Sequence, residues 1–215
     1  MPVDPNPGYR PPFWLRNPHL QTLWPTLFRR VGTIPWDRVR LELQDGDFLD
    51  LDCWTSGARR VVILSHGLEG NSRRPYMAGM AHAFKKRHWD VISWNFRGCS
   101  GEPNRLCRSY HSGATEDLAG VVDHAVRVHD YKQVAVVGFS LGGNLTLKYL
   151  GELGDQPGRV CGGAGISVPC DLEGAATRMA GPECAFYMKR FLGDMGEKMR
   201  AKARQFPGRV RVEAL

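Results

Sequence analysis

The 215-residue chain has no stretch approaching the roughly 18 uninterrupted apolar residues that a membrane-spanning helix needs. Its N-terminus also lacks an apolar segment: Met1-Pro2-Val3-Asp4-Pro5-Asn6-Pro7-Gly8 reads as a proline-rich arm and not as a signal peptide. The six cysteines (Cys53, Cys99, Cys107, Cys161, Cys170 and Cys184) include no CxxC pair, and no Cys/His spacing suits zinc. No metal is therefore expected, and without a secretory signal the thiols are expected to be reduced in a cytoplasmic protein. Neither GxGxxG nor the GxxxxGKS/T phosphate loop occurs, so no nucleotide cofactor is expected. The net charge is +7, yet no basic run is interleaved with aromatics as in a nucleic-acid module, so nucleic acid is not expected as a partner. The last absence is chemical. All seven histidines (His19, His66, His82, His88, His111, His124 and His129) lie in the first 129 residues.

What is present suits one globular domain, with 42% hydrophobic and 24% charged residues. Residues 1–35 contain eight prolines and are expected to be irregular. From Arg38, Val39, Leu41 and Leu43 alternate as in a strand, Asp45-Gly46-Asp47 signals a turn, and Phe48 to Trp54 reads as a second strand of a hairpin. Val61-Val62-Ile63-Leu64, Val91-Ile92-Ser93-Trp94 and Val134-Ala135-Val136-Val137 are short apolar runs suited to strands buried on both faces. Between them fall a helix opened by Pro75, with Met77, Met80, Ala81 and Phe84 on one face, and one carrying Leu118, Val121, Val122, Ala125 and Val126. A third helix is expected over Leu141 to Leu150 and a last strand over Gly163 to Val168. This β-hairpin followed by βα alternation predicts an α/β fold, a mostly parallel sheet with helices on both faces. From Asp171 the rhythm stops. Ala185 to Leu192 and the basic stretch after it look helical, the start of a lid.

Three motifs carry chemistry. Gly138-Phe139-Ser140-Leu141-Gly142 is a G-x-S-x-G sequence with an apolar strand before it and a helix after it, the setting of a nucleophile elbow. Small residues two before and two after the serine keep side chains clear of the neighbouring chain, and the helix N-terminus favours negative charge there. His66-Gly67-Leu68-Glu69-Gly70 follows the strand Val61–Leu64 and fits an oxyanion loop. Attack on an ester builds charge on one oxygen, and losing one fixed N–H donor to it costs ~3–4 kcal/mol of barrier. The candidate donors are the N–H groups of Leu68 and Leu141, with His66 a hydrogen-bonding prop rather than a base. The third motif, Asn95 to Asn104, lies where strand C-termini gather and is expected to shape the pocket. Glu116 and Asp117 read as charge in the first turn of a helix, not as an acid/base pair.

Taken together with Asn17-Pro18-His19-Leu20-Gln21-Thr22, Tyr110-His111-Ser112-Gly113 and Val168-Pro169-Cys170-Asp171-Leu172, these motifs resemble the YheT-like, ABHD1- and ABHD3-type branch of the α/β-hydrolases, from about Asn17 onward. The resemblance implies an α/β-hydrolase fold and a serine carboxylester hydrolase with Ser140 as nucleophile, acting on small-molecule or lipid acyl esters. It also implies the triad order Ser, acid, His, and here no histidine follows Ser140. Arg209 to Leu215 reads as the middle of an element. The expectation is therefore a chain whose C-terminal strands, acid and histidine lie further on, inactive or weak as it stands. Asp171 and His111 are the weak candidates within the chain. Two alternatives stay open, a non-catalytic binding module with a hydrolase fold and an alcohol acyltransferase. The expected division is an arm (1–35), a hydrolase core (36–170) and the start of a cap (171–215). Phe186, Met188, Phe191 and Met195 interleaved with Lys189, Arg190 and Lys198 leave peripheral membrane contact open.

Overall fold

The computed structural model describes residues 8–211, in two compact units that divide between Thr33 and Ile34. The first unit is not irregular as the prolines suggested. A 3-10 turn spans Phe13–Leu15, and helix α1 spans Pro18–Phe28. Asn17 caps α1, its Oδ1 accepting the N–H groups of His19 (2.8 Å) and Leu20 (3.3 Å), and Pro18 occupies the first turn, where a missing N–H costs nothing. Trp24 packs edge-on to Trp14 and tilts against Phe28, ring centroids 5.1 and 4.4 Å apart. The start signal was the Asn-Pro pair, which the other prolines of the arm concealed.

The second unit holds a six-stranded sheet among the described residues: β1 (Asp37–Glu42), β2 (Phe48–Trp54), β3 (Arg60–Ser65), β4 (Asp90–Trp94), β5 (Gln133–Phe139) and β6 (Val160–Ile166), in the order β1-β2-β4-β3-β5-β6. The hairpin β1–β2 and the β2–β4 pair are antiparallel, and the other neighbours are parallel. Helices α2 (Pro75–Lys85), α3 (Thr115–Val128) and α4 (Leu141–Leu153) form the crossovers. β3 shows why its sequence is apolar throughout. Val61 and Ile63 pack toward Leu118, Val121 and Leu145 of α3 and α4, while Val62 and Leu64 pack toward Met77 and Ala81 of α2.

The last strand lies earlier than Gly163–Val168. β6 begins at Val160 and ends at Ile166, it is a sheet edge, and Gly162 to Gly165 are exposed. Its glycines hid it from pattern reading. A Cβ on Gly163 would strike Leu150 of α4 and Val136 of β5, so close packing of helix and strand excludes the side chains that announce a strand. After β6, α5 (Leu172–Met179) was not anticipated, whereas α6 (Ala185–Gln205) runs through the basic stretch as expected. Arg209 does not continue an element: its N–H closes a turn on Phe206, no helix or strand covers it or Arg211, and residues 212–215 lie outside the described residues. No described helix is long and apolar enough to cross a membrane.

Candidate active site

β3 and β5 are adjacent and parallel, with Ser65 opposite Gly138. That register brings the segment after β3, starting at His66, beside the end of β5 at Phe139 and the segment after it, starting at Ser140. Ser140 stands between β5 and α4 with φ 52° and ψ −120°, a conformation a non-glycine residue adopts at a cost of ~1–3 kcal/mol. The flanking glycines make it accessible. A Cβ on Gly138 would run into the Gly142 carbonyl, and one on Gly142 into the carbonyls of His66 and Ser65. The Ser140 backbone is tied down, its N–H donating to Ile166 O (2.9 Å) and its carbonyl accepting Asn144 N–H (3.0 Å). Its side chain is exposed and takes no hydrogen bond from any described residue.

The loop after β3 passes directly against this serine. A Cβ on Gly67 would lie 3.4 Å from the Ser140 Cβ. Its amides are almost all spoken for. Gly67 N–H donates to the Tyr76 hydroxyl (3.0 Å), Glu69 N–H to the Tyr110 hydroxyl (3.1 Å) and Gly70 N–H to Gly67 O (3.0 Å). Leu68 N–H has no partner among the described residues. Its peptide plane is held from the other side, because the Gly67 carbonyl receives both Gly70 N–H and His66 Nδ1, the latter at 2.8 Å. In a trans peptide the N–H then points the opposite way. The N–H of Leu141 is likewise open, as the first residue of α4 has no carbonyl one turn back within the helix. The arrangement offers two unclaimed donors and a free hydroxyl at the C-terminal edge of neighbouring parallel strands.

His66 is fully buried, and burial drives its pKa down to about 3. With Nδ1 facing the Gly67 carbonyl, Nε2 is left to accept Phe96 N–H (3.1 Å), so the neutral ring props the loop with both nitrogens occupied. His111 is exposed and its Nδ1 accepts Gly113 N–H (3.1 Å) within its own turn. Asp171 is exposed and caps α5 by accepting Gly174 N–H (2.9 Å). His88, just before β4, and His129, between α3 and β5, belong to the opposite edge, where strands begin. The structure thus brings Ser140, Leu68 and Leu141 together, and Asp171 and His111 are engaged in local turns.

Two sequence readings are refined. Within the loop expected to shape the pocket, the side chains of Asn95, Arg97 and Asn104 turn into the framework. Asn95 bridges Ser72 N–H and Asp50 O, Arg97 pairs with Asp45, Asp47 and Asp117, and Asn104 donates to Asp47. Asp117 is accordingly a buried ion-pair partner and not merely charge in the first turn of a helix. A cavity of about 810 Å³ lies under α3 and the end of α4, lined by Leu43, Val122, Tyr149 and Leu153, and Ser140 is not part of it. No cluster of three or more metal-ligating side chains occurs among the described residues, and all six cysteines are free. The residues that sequence reasoning missed are Tyr76 and Tyr110, whose hydroxyls take the loop amides. Tyr110 was visible only as part of a family motif.

A family model for the alpha/beta hydrolase fold matches residues 60–207, and the chain belongs to that family. It is 38% identical to YheT of Escherichia coli (strain K12) over 91% of this chain and 58% of that one. It is 27% identical to mouse phospholipase ABHD3 over 69% of this chain and 38% of that one. The chain spans about half the length of the curated relatives it matches, or less. Among solved structures, the esterase Pf2001 of Pyrococcus furiosus superposes with a TM-score of 0.59 at 20% identity, covering 80% of this chain and 72% of that one.

Proposed function

We propose that this chain carries the nucleophile and oxyanion donors of a serine carboxylester hydrolase acting on acyl esters. The observation that carries the reading is the placement of a strained, unpartnered Ser140 beside the unclaimed N–H groups of Leu68 and Leu141. Ser140 Oγ attacks the ester carbonyl carbon and gives its proton to a base. The carbonyl oxygen becomes an oxyanion between the two N–H groups, and the C–O bond to the alcohol breaks as the base returns the proton to it. Water then attacks the acyl-enzyme by the same route and releases the acid. A relative named phospholipase and another named monoacylglycerol lipase support a lipid ester as substrate. His66 has both ring nitrogens engaged and His111 serves a local turn, so the base and its acid are proposed to come from the length that the relatives have beyond this chain.

The test is Ser140→Ala in the full-length protein. It should abolish hydrolysis of a short acyl ester and labelling by a fluorophosphonate. Labelling that persists in the variant removes Ser140 as nucleophile.

A further inference from the structure

Helix α6 is fastened to the oxyanion loop. Lys198 Nζ lies 2.8 Å from Glu69 Oε2, and the Glu69 side chain is only 6% exposed. The other carboxylate oxygen, Oε1, receives the Tyr110 hydroxyl at 2.5 Å, and that same hydroxyl accepts Glu69 N–H at 3.1 Å. Glu69 sits in the left-handed region, φ 51°, directly after Leu68. Lys198 also reaches Cys99 Sγ at 3.2 Å. One turn further on, Lys202 donates to the carbonyls of Asn104 (3.1 Å) and Leu106. Two lysines at i and i+4 of α6 therefore grip the loop between β4 and α3, and one of them also grips the loop after β3.

We propose that Lys198, Glu69 and Tyr110 are positioning residues through which the seating of α6 sets the Leu68 N–H. The peptide bearing that N–H is bracketed by two others: His66–Gly67, held by Tyr76, and Leu68–Glu69, held by Tyr110. Tyr110 keeps its orientation only while the Glu69 carboxylate receives its proton, and that nearly buried carboxylate has Lys198 as its one described ion-pair partner. If α6 lifts, the carboxylate loses its cation and swings toward water, taking Tyr110 and the Glu69 amide with it. The loop then has two amides, of Leu68 and Glu69, competing for the same space beside Ser140. The helix beginning as a cap over the core thus becomes a gate on the transition state rather than on substrate entry.

This rests on the reading of Ser140 as nucleophile, and the experiment separates the two. In the full-length protein, hydrolysis of a short-chain p-nitrophenyl ester and fluorophosphonate labelling of Ser140 are measured well below the unfolding midpoint. Lys198→Met should lower kcat and the labelling rate about tenfold with KM unchanged, as expected for loosened coupling to a transition-state donor. Tyr110→Phe, which removes one hydroxyl from the interior, should do the same, and combining the two should cost less than the product of the single effects. Lys198→Arg should restore most of the loss. Wild-type kcat in Lys198→Met, a loss confined to KM, or an arginine variant no better than methionine overturns the coupling while leaving Ser140 in place. A wild-type protein that is not labelled at Ser140 overturns the nucleophile, and the coupling with it.

Discussion

Arg97 tests how the framework behind the site is held. Its side chain is 2% exposed and meets three carboxylates. Nε and Nη2 donate to Asp117 at 2.8 and 2.6 Å, and Nη1 donates to Asp47 at 3.0 Å and Asp45 at 2.7 Å. The Asp47 and Asp117 side chains are 0% and 3% exposed. Arg97→Met removes the cation and leaves both carboxylates inside. Asp47 keeps Asn104 and the N–H groups of Phe48 and Arg105, whereas Asp117 loses both of its side-chain hydrogen bonds. Removing one partner of a buried ion pair costs about 3–5 kcal/mol, because the charge left behind is uncompensated. With a urea slope of about 2 kcal/mol/M, the unfolding midpoint of the full-length protein should fall by about 2 M. Arg97→Lys keeps the charge but not the two-pronged geometry and should lose less. Arg127→Met is the control. Its pair with Asp123 is 76% and 53% exposed, and the midpoint should move by no more than about 0.5 M. The deficit should also depend on pH. A buried carboxylate without its partner has a folded pKa above its unfolded value of about 4. The penalty is therefore full above that raised pKa and is relieved as pH falls and the group protonates. An Arg97→Met midpoint within about 0.5 M of wild type at pH 7, or an equal deficit at pH 7 and pH 4.5, would refute the reasoning.

Three further outcomes are expected. Gly142→Ala should cost about 1–3 kcal/mol by thermal or urea unfolding and slow fluorophosphonate labelling, because the new Cβ drives into the His66 and Ser65 carbonyls and pushes the loop after β3 off Ser140; unchanged labelling counts against that contact. Acid should destabilise the fold. Burial opposes the charge on Asp52 and Asp90, but Arg38, Arg73 and Ser72 hold the first, and Lys85, Tyr131 and Ser56 the second, below the usual carboxylate range. Groups with depressed folded pKa stabilise above their unfolded value of about 4 and lose that contribution as pH falls through the folded one, so the urea midpoint should drop below about pH 5, and Asp90→Asn should flatten the fall. Finally, Phe186, Leu192 and Met195 of α6 are exposed, and Phe186→Ser/Phe191→Ser should reduce flotation of the full-length protein with liposomes; equal flotation removes lipid contact by α6.

What the sequence disclosed depended on how local each feature is. The elbow is readable because strand, glycines, serine and helix lie within about twenty consecutive residues, and β3 is readable because burial on both faces demands an unbroken apolar run. β6 was displaced because its glycines answer to α4 and β5, which no window over residues 160–166 contains. α1 was missed because prolines argue against helix everywhere except in the first turn, and α1 carries Pro25 in its interior besides Pro18 in its first turn. The donors that dispose of the loop amides were beyond reach altogether. Tyr110 meets Glu69 across 41 residues, and Lys198 arrives from a helix that pattern reading could place but not dock.

The same distinction governs the chemistry. The proposed nucleophile and oxyanion donors need only two neighbouring parallel strands in one register, Ser65 against Gly138, because each proposed donor is a backbone amide that its own loop or helix supplies. A slip of two residues along a strand would move Leu68 by about 6.6 Å relative to Ser140, farther than a hydrogen bond can span. The alternate packing of Val61, Val62, Ile63 and Leu64 between α2 and the α3/α4 face also forbids a one-residue slip, since that would exchange the two faces. The core of the sheet and the geometry at Ser140 are therefore one constraint, set by the same four side chains. A base is different in kind. In the proposed mechanism it is a side chain that must reach Ser140 from a third segment, and no register of β3 and β5 can provide it.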